Sequence, residues 1–374
     1  MARITAYHLE LRHGLHVGER GLSLEESGAT VAADTLFGAL VESARRAGLD
    51  ATQLTQPFVD GDPPFLLTSA FPRAGDVRFY PMPVSAGALL ASGGDGVGLK
   101  QLKRTRFLSE ALFLRATRGE KLDAWWPAEV HTAADRGLFL QHGALWMTRE
   151  EVARLPEGLR MDAQNQRERP IAALAEARVM DADRIAHVAV DRVRSASDIY
   201  FVGRTFYAQG CGLWFGVQWR HPDALIGGIA ASELLDRLLQ ILGDEGVGGK
   251  RSSGSGHFSV TSVPNALEIA DVRQGAPTWL LSRVSPAAAD LPGLVQGKGA
   301  MYRTVSVAGW MLNNSGSALR RKRVTLLEEG SWVTPGGDLF GRLADVRPAH
   351  GAAHAVYRYG LGLGAGIGEG PGHE

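Results

Sequence analysis

The stretch GGKRSSGSGHFSV, residues 248–260, decides the fold because the periodicity of the chain changes across it. A helix is predicted before it, since one face carries Leu234, Leu235, Leu238, Leu239 and Leu242. A strand is predicted after it, since Phe258, Val260 and Ser262 alternate with Ser259 and Thr261. The stretch is therefore a glycine-rich loop that joins a helix to a strand.

The composition of this loop favours contact with an anion. Residues 248–256 contain four glycines, three serines and the cation pair Lys250 and Arg251. Glycines let the backbone lie against a ligand with successive N–H groups pointing at it, and hydroxyls and cations add donors. The loop predicts a contact with a phosphate or an RNA backbone, and a plain flexible turn is the alternative.

Two nucleotide-binding motifs are excluded by the spacing around the loop. A Walker loop would need a glycine at position 244 and a serine or threonine at position 251, where this chain has Asp244 and Arg251. A dinucleotide fingerprint would be followed by a helix, whereas a strand is predicted after Gly254 and Gly256.

Charge and cysteine content narrow the class of protein. The 374 residues are enough for two domains, and 40 basic residues balance 40 acidic ones. A free-standing nucleic-acid binder is usually basic, so this balance favours local basic patches within a subunit of a larger assembly. Cys211 is the single cysteine, which excludes a disulfide framework and a cysteine-based zinc site. Without a signal-peptide pattern or an apolar run of membrane-spanning length, a cytoplasmic protein with no membrane contact is expected.

The first 263 residues fit a strand–helix–strand pattern that occurs twice. Residues 3–12 alternate as a strand, and a helix capped by Asp34 follows, with apolar residues Leu36, Phe37, Leu40, Val41 and Ala44. This spacing matches the helix before the glycine loop. Further strands are predicted at residues 65–69, 187–193, 199–207 and 213–219. Together they predict the βαββαβ ferredoxin-like unit of an α+β protein.

Residues 72–184 lack this regularity and are predicted to be an insertion in the first domain. Lys100, Lys103, Arg104 and Arg106 make it locally basic and alternate with Leu102 and Phe107. This pattern predicts an extended hairpin arm outside the core, so that deleting about residues 93–117 spares folding. A solvated charged face is the alternative.

Residues 264–374 are predicted to form a smaller β-rich domain. Its strand-like segments lie at residues 279–286, 302–310, 320–333 and 354–367. The last of these contains Tyr357, Arg358 and Tyr359, which offer stacking planes and charge to single-stranded RNA. Ordinary strand packing is the alternative for these three residues.

Six segments in order resemble one known family. They are AADTLFGAL (32–40), KQLKRTRFLS (100–109), AVDRVRSASDIYFVGRTFY (189–207), GGKRSSGSGHF (248–258), RRKRVTLLEEGSWV (320–333) and HAVYRYG (354–360). This set resembles the fourth subunit of the Csm (type III-A) CRISPR effector complex, within the RAMP superfamily.

The resemblance implies a fold of two ferredoxin-like (RRM-related) RAMP domains, at residues 1–263 and 264–374. The first would carry the glycine-rich loop and a β-hairpin thumb within the insertion at about residues 72–184. It also implies a non-catalytic subunit, without cofactor or metal, that holds the repeat-derived 5′ tag of the CRISPR RNA. Such a subunit caps the complex beside the large polymerase-palm subunit and the repeated backbone subunit. Its thumb meets target RNA near the tag–guide junction.

The predicted RNA-binding residues combine the loop chemistry with this resemblance. The strand-end arginines at 192, 194 and 204 enter mainly through the resemblance. The full set is Gly248, Gly249, Lys250, Arg251, Ser252, Ser253, Gly254, Ser255, Gly256, His257, Phe258, Lys100, Lys103, Arg104, Arg106, Arg192, Arg194, Arg204, Tyr357, Arg358 and Tyr359.

Two other functions remain open from the sequence. Related RAMP proteins cut precursor RNA with histidine and without metal, and this chain offers His8, His13, His16 and His257 as acid–base candidates. No Lys–His or Tyr–His constellation accompanies them. A purely structural assembly protein is the other alternative, and the cations of the glycine loop argue against it.

Overall fold

The computed structural model describes residues 1–18, 25–91, 98–127, 136–162, 164, 166–191, 196–312, 318–350 and 354–368. The helices are α1 (Ala33–Arg46), α2 (Ala51–Val59), α3 (Leu99–Arg104), α4 (Glu110–Thr117), α5 (Glu157–Arg160), α6 (Ile171–Leu174), α7 (Ala231–Glu245) and α8 (Leu291–Gln296). The strands are β1 (Ala2–Leu11), β2 (Phe65–Leu67), β3 (Phe71–Ala74), β4 (Val77–Pro81), β5 (Phe107–Ser109), β6 (Gly137–Leu140), β7 (Leu145–Thr148), β8 (Met180–Asp191), β9 (Ala196–Tyr207), β10 (Cys211–Trp219), β11 (Leu225–Ile226), β12 (Ile229–Ala230), β13 (Phe258–Ile269), β14 (Thr278–Leu280), β15 (Thr304–Val307), β16 (Trp310–Leu312), β17 (Ala318–Arg320), β18 (Val324–Leu327), β19 (Trp332–Val333), β20 (Ala344–Asp345), β21 (Tyr357–Arg358) and β22 (Gly364–Gly366).

The main sheet has an antiparallel centre in the order β13–β1–β10, with β2 and β3 both pairing with β10. Helix α1 follows β1, and α7 precedes β13, which gives a β–α–β–β–α–β order along the chain. The second strand of this unit, which pairs with β10, is divided into β2 and β3. Between the two segments, the side chain of Thr68 takes the place of a backbone partner, because its hydroxyl oxygen accepts the Gly216 N–H at 2.7 Å. The predicted strand at residues 65–69 therefore ends at Leu67 and resumes at Phe71.

Helices α1 and α7 bury the faces that the periodicity predicted. In α7, Leu235, Leu238, Leu239 and Leu242 are at most 2% exposed. Fully burying a leucine side chain contributes about 1.5–3 kcal/mol, so these faces anchor both helices. Helix α1 begins at Ala33, and Asp34 lies inside its first turn instead of capping it. The predicted cap at Asp34 was therefore wrong.

Residues 72–184 extend the main sheet, which continues from β3 through β4, β5, β7 and β6. Arg78 of β4 and Glu110 of α4 form a buried ion pair, with Nε and Oε2 2.6 Å apart. The ring of Phe113 stacks on Tyr80 with a centroid separation of 4.1 Å. A deletion of residues 93–117 would remove Glu110 and Phe113 and leave Arg78 and Tyr80 without these partners. The segment was predicted to lie outside the core, which is wrong, and we therefore expect the deletion to destabilise the chain.

The prediction of an extended arm at Lys100–Arg106 was also wrong, because most of this segment is helical. Lys100, Lys103 and Arg104 lie on helix α3, and Leu102 between them is buried. A long two-stranded hairpin instead forms from β8 and β9, whose register runs from Met180 opposite Tyr207 to Asp191 opposite Ala196. One face of this hairpin leaves Val188, Ile199 and Phe201 exposed.

The described part of residues 264–368 contains small sheets. Strand β14 pairs with β19 and β22, while β15 pairs with β18, β16 with β17 and β20 with β21. The strands after β13 are two to four residues long, and α8 has six residues. Among these described residues a second β–α–β–β–α–β unit is not seen. The ring of Tyr359 lies 5.1 Å from that of Phe37 in α1, so the two parts of the chain share a core.

A buried carboxylate ties the C-terminal residues to the first helix. The side chain of Asp34 is fully buried, its Oδ2 accepts a hydrogen bond from Nη1 of Arg358, and its Oδ1 lies 3.6 Å from Nη1 of Arg283. Arg283 Nε also donates to Glu329 Oε2 at 3.3 Å. Ser69 links this cluster to the start of α1, because its Oγ donates to Glu329 Oε1 at 2.5 Å and accepts the Ala33 N–H at 2.9 Å.

We expect Asp34→Ala to lower the free energy of unfolding by about 3–5 kcal/mol, because it leaves the buried guanidinium of Arg358 without its carboxylate and removes one of the two carboxylates beside Arg283. Urea unfolding at neutral pH measures this loss. The control is Asp223→Ala, which removes an exposed carboxylate and should change stability by less than about 0.5 kcal/mol. Equal stability of the two variants would contradict the structural role of Asp34.

Candidate nucleic-acid interface

The glycine loop folds tightly onto the segment that follows β1. Gly248 has a φ of +89°, and a Cβ there would lie 2.4 Å from the carbonyl oxygen of His16. Gly256 has a φ of +78°, and a Cβ there would lie 1.9 Å from the Val247 oxygen. Both positions therefore require glycine, for backbone conformation and for close approach.

Several backbone amides of the loop are already used within the protein. Gly249 N–H donates to His16 O at 2.8 Å, and Gly256 N–H donates to Gly14 O at 3.0 Å. Ser253 N–H donates to the carbonyl oxygen of Lys250 at 3.0 Å. These amides cannot all turn towards an anion, so the chemistry offered to a ligand comes mainly from the side chains.

Exposure separates the predicted loop residues into two groups. Ser252 and Ser253 are exposed, and Lys250, Arg251 and His257 are partly exposed. Ser255, Gly256 and Phe258 are buried. Phe258 is 1% exposed and belongs to the hydrophobic core, so its predicted contact with RNA was wrong.

The β8–β9 hairpin adds side chains to the exposed part of the loop. Arg204 Nη2 donates to the Ser253 hydroxyl at 3.1 Å and to its carbonyl oxygen at 3.3 Å. The Lys250 ammonium lies 5.0 Å from the ring centroid of Tyr200. The imidazole of His187 stacks on the same ring, with the two ring centroids 5.5 Å apart. We call Lys250, Arg251, Ser252, Ser253, Arg204 and Tyr200 the loop surface. Such a combination of cations, hydroxyls and an aromatic ring suits single-stranded RNA.

The sequence predicted Arg204 but missed Tyr200 and His187. Tyr200 and Arg204 are four residues apart in β9, so the alternation of side chains along the strand puts them on the same face of the hairpin. His187 lies directly opposite Tyr200 on β8. The alternation could have indicated Tyr200. The partnership with His187 depends on the register of two strands, which the sequence does not show. Arg192 and Arg194 lie outside the described residues.

Three of the four candidate histidines surround the loop. His16 is 7% exposed, and its Nδ1 donates to Gly203 O at 2.7 Å. A Cβ at Gly246 would lie 2.6 Å from His257 Cδ2, and one at Gly254 would lie 3.8 Å from His13 Cδ2. The structure thus places His13, His16 and His257 around one loop, each ring beside a different glycine.

The fourth histidine, His8, belongs to the sheet. Burial, and then the neighbouring cations Arg73 and Arg78, lower its pKa from 6.5 to about 4. The imidazole is therefore neutral at pH 7. It pairs across the sheet with Trp214 and Thr261, in a regular part of β1.

A cleft of about 770 Å³ opens beside the loop. Val17 lies between the cleft and the loop. It lines the cleft, and its Cγ2 is so close to Gly248 of the loop that a Cβ built on that glycine would lie 3.2 Å from it. Lys103 and Arg106 line the cleft as cations, as do Arg283 and Arg303, which the sequence did not single out. The acidic residues Glu328 and Glu329 also line it.

The other two basic residues of this region differ in their surroundings. Lys100 is exposed on α3 and is not part of the cleft lining. Arg104 is exposed too, and its Nη1 donates to the carbonyl oxygen of His142 at 3.3 Å.

The predicted aromatic and basic residues near the end of the chain are mostly buried. Tyr359 is 0% exposed, and its phenol oxygen accepts the Leu67 N–H at 3.0 Å. Burial raises the pKa of its phenol. Arg358 is 8% exposed, lines the cleft wall and is held by Asp34, while Tyr357 is half-buried against the core. The prediction that Tyr359 stacks on RNA was wrong, because its ring packs between α1 and α2.

Two features are not found among the described residues. Within them, no group of three or more His, Cys, Asp or Glu side chains is placed to hold a metal ion. Likewise, none of the helices in the described ranges combines the length and apolarity needed to cross a bilayer.

The chain is similar to known proteins in its sequence and its fold. Residues 273–367 match the family described as the CRISPR Csm4 C-terminal domain. The CRISPR system Cms protein Csm4 of Thermococcus onnurineus (strain NA1) is 26% identical over 344 residues, which cover 88% of this chain and 89% of that protein.

Two solved structures share the fold over nearly the full length. A chain of the Csm3–Csm4 subcomplex in the type III-A CRISPR-Cas interference complex matches with a TM-score of 0.61 at 14% identity, covering 98% of this chain and 99% of the other. A chain of the Csm1–Csm4 cassette in complex with pppApA matches with a TM-score of 0.51 at 17% identity, covering 99% and 100%. The resemblance of the chain to the fourth subunit of the Csm complex is thus confirmed, and the family match lies within residues 273–367.

Proposed function

We propose that this chain is a non-catalytic CRISPR RNA-binding subunit of a type III-A effector complex, and that it holds the repeat-derived 5′ tag. The observation that carries this proposal is the loop surface, where Lys250, Arg251 and Arg204 surround exposed hydroxyls beside a cleft lined by further cations. Cations neutralise phosphates, and Tyr200 offers a stacking face for a base. The tag would run along the loop surface and enter the cleft at Val17.

The same proposal places the chain at one end of the complex. The solved relatives are a Csm3–Csm4 subcomplex and Csm1–Csm4 cassettes. We infer that this chain likewise contacts a backbone subunit and a large subunit, in the cytoplasm. The β–α–β–β–α–β order around the main sheet supports a ferredoxin-like RAMP unit in the first part of the chain.

We expect Lys250→Ala combined with Arg251→Ala to weaken binding of tag RNA and to flatten its salt dependence. Each lost phosphate contact removes roughly 0.7 from the slope of log K against log salt, so the double variant should lose about 1.4. Fluorescence anisotropy with a labelled tag oligonucleotide at several salt concentrations measures both quantities. Lys250→Arg with Arg251→Lys keeps the charges and should retain the slope. If the alanine variant keeps the wild-type affinity and slope, the loop is only a turn.

A second function, metal-independent cleavage of precursor RNA, is favoured by one observation. His13, His16 and His257 lie around the loop that would hold the RNA. His16 is buried with Nδ1 committed to a carbonyl oxygen, however, so the exposed His13 and the half-buried His257 are the groups left to transfer protons to RNA.

We expect the purified chain to leave repeat RNA intact, with or without divalent metal, because among the described residues no hydrogen bond joins the imidazole of His13 or His257 to another titratable side chain, as an acid–base pair would require. Incubation with end-labelled repeat RNA, resolved on a denaturing gel, tests this. Cleavage that disappears in His13→Ala, His16→Ala or His257→Ala would establish the nuclease instead. Cleavage that persists in all three variants would indicate a contaminant.

We further propose that the β8–β9 hairpin is the arm that meets target RNA near the tag–guide junction. It is anchored at the loop surface by Arg204 and presents Val188, Ile199 and Phe201 to solvent on its other face. Exposed apolar side chains on a projecting hairpin can wedge between bases, which is the kind of contact that separates a base pair from its neighbour.

We expect Ile199→Ser combined with Phe201→Ser to leave the chain folded, since these side chains are 68% and 44% exposed. In assembled complexes, the junction nucleotide should become less reactive towards chemical probes, because without the apolar side chains it can pair with the target RNA. Chemical footprinting of the junction with target RNA bound measures this. The matched control is Leu225→Ser, whose side chain is 74% exposed on another hairpin. Identical footprints in both variants and in the wild type would show that the hairpin is not this arm.

A further inference from the structure

Another aromatic residue, largely exposed, lies on a hairpin that is far from the loop surface in sequence. Trp310 of β16 is 65% exposed and is the register partner of Arg320 of β17. Residues that are directly opposite in an antiparallel pair point to the same face, with Cβ atoms about 4.5–5.5 Å apart. The indole and the guanidinium therefore share one side of the hairpin.

The chain continues from Arg320 into a run of cations. Arg320, Lys322 and Arg323 are all exposed. Among the residues that the structure describes, no carboxylate lies within ion-pair distance of these three side chains. Nearby Arg347 and Arg303, in contrast, pair with Asp345 and Glu328. The run is thus a local excess of positive charge on a chain whose formal charge is zero.

This hairpin begins where the cleft ends. Val307 and Ala308 line the cleft, and the Ala308 carbonyl oxygen accepts a hydrogen bond from Arg358 Nη2 at 3.2 Å. The Arg321 N–H donates to Gly309 O at 2.9 Å, which holds the cation run beside the same turn. A strand of RNA that leaves the cleft past Ala308 would next reach Trp310.

We propose that Trp310, Arg320, Lys322 and Arg323 form a second contact for single-stranded RNA, which we call the tryptophan surface. A base stacks on the indole, and the neighbouring phosphates contact the three cations. This inference rests on the proposed function, that the chain binds RNA. Three cations without a carboxylate partner among the described residues complement a polyanion, and the exposed indole beside them offers a stacking face for a planar base.

Binding of a fluorescein-labelled oligouridine RNA to the full chain tests the tryptophan surface. Trp310→Ala should weaken binding about tenfold, equivalent to about 1.4 kcal/mol, whereas Trp310→Phe keeps a stacking face and most of the affinity. The combination Arg320→Ala, Lys322→Ala and Arg323→Ala should lower the salt slope by about 2, for three phosphate contacts. The controls are Leu225→Ala and Lys298→Ala, an exposed apolar residue and an exposed cation outside this surface.

A direct contact is measured separately, by photocrosslinking the wild-type chain to RNA that contains 4-thiouridine. Crosslinked peptides that include Trp310 support the proposal. If the Trp310 and triple variants bind like the wild type while the Lys250 and Arg251 variant is weakened, the tryptophan surface is wrong and the proposed function stands. If the wild-type chain binds no RNA, both fail. If RNA binding is kept but the backbone subunit no longer co-purifies, the surface is a protein interface and the proposal is overturned.

Discussion

The buried carboxylate of Asp34 is the constraint on which the rest of the structure depends. A fully buried charge is costly unless it is paired, and the groups that pair with it come from Arg283 and Arg358 in the last third of the chain. Arg358 in that position places its neighbour Tyr359 between α1 and α2, where the ring completes the core. The same two arginines form one wall of the cleft. One electrostatic requirement thus sets the packing of the C-terminal segment and the shape of the candidate RNA path.

The candidate interface depends on side chains more than on backbone amides. The glycine loop is held by its own hydrogen bonds to residues 14 and 16, and the β8–β9 hairpin is attached to it through Arg204. The loop surface, the cleft and the tryptophan surface follow one another through Val17 and Ala308. Each combines cations with aromatic or apolar side chains, as expected of a groove that follows a single strand without reading every base.

The sequence predicted those helices and strands whose apolar residues recur at regular spacing within a short segment. Helices α1 and α7, strands β1 and β10 and the loop before β13 follow from patterns within about fifteen residues. Lys100, Lys103 and Arg104 were misread because a short basic run with one leucine fits a strand or a helix, and only the packing of Leu102 decides between them. Tyr359 was misread because its neighbours looked like a surface pattern, while its burial depends on Asp34, far away in sequence. The cleft and the partnership of His187 with Tyr200 could not be predicted, since both depend on long-range contacts.

The tie between Asp34 and Arg358 also bears on how the chain is made. During synthesis the first strand and helix leave the ribosome long before residue 358 exists. Of the two arginines that pair with Asp34, Arg283 is made first, and the hydrogen bond from Arg358 can form only later. A buried charge that lacks its partner is costly, so we expect the complete closure of α1 and α2 to follow the synthesis of both arginines. The segment that carries Arg358 and Tyr359, made late in synthesis, is then what completes the core that the first helix begins.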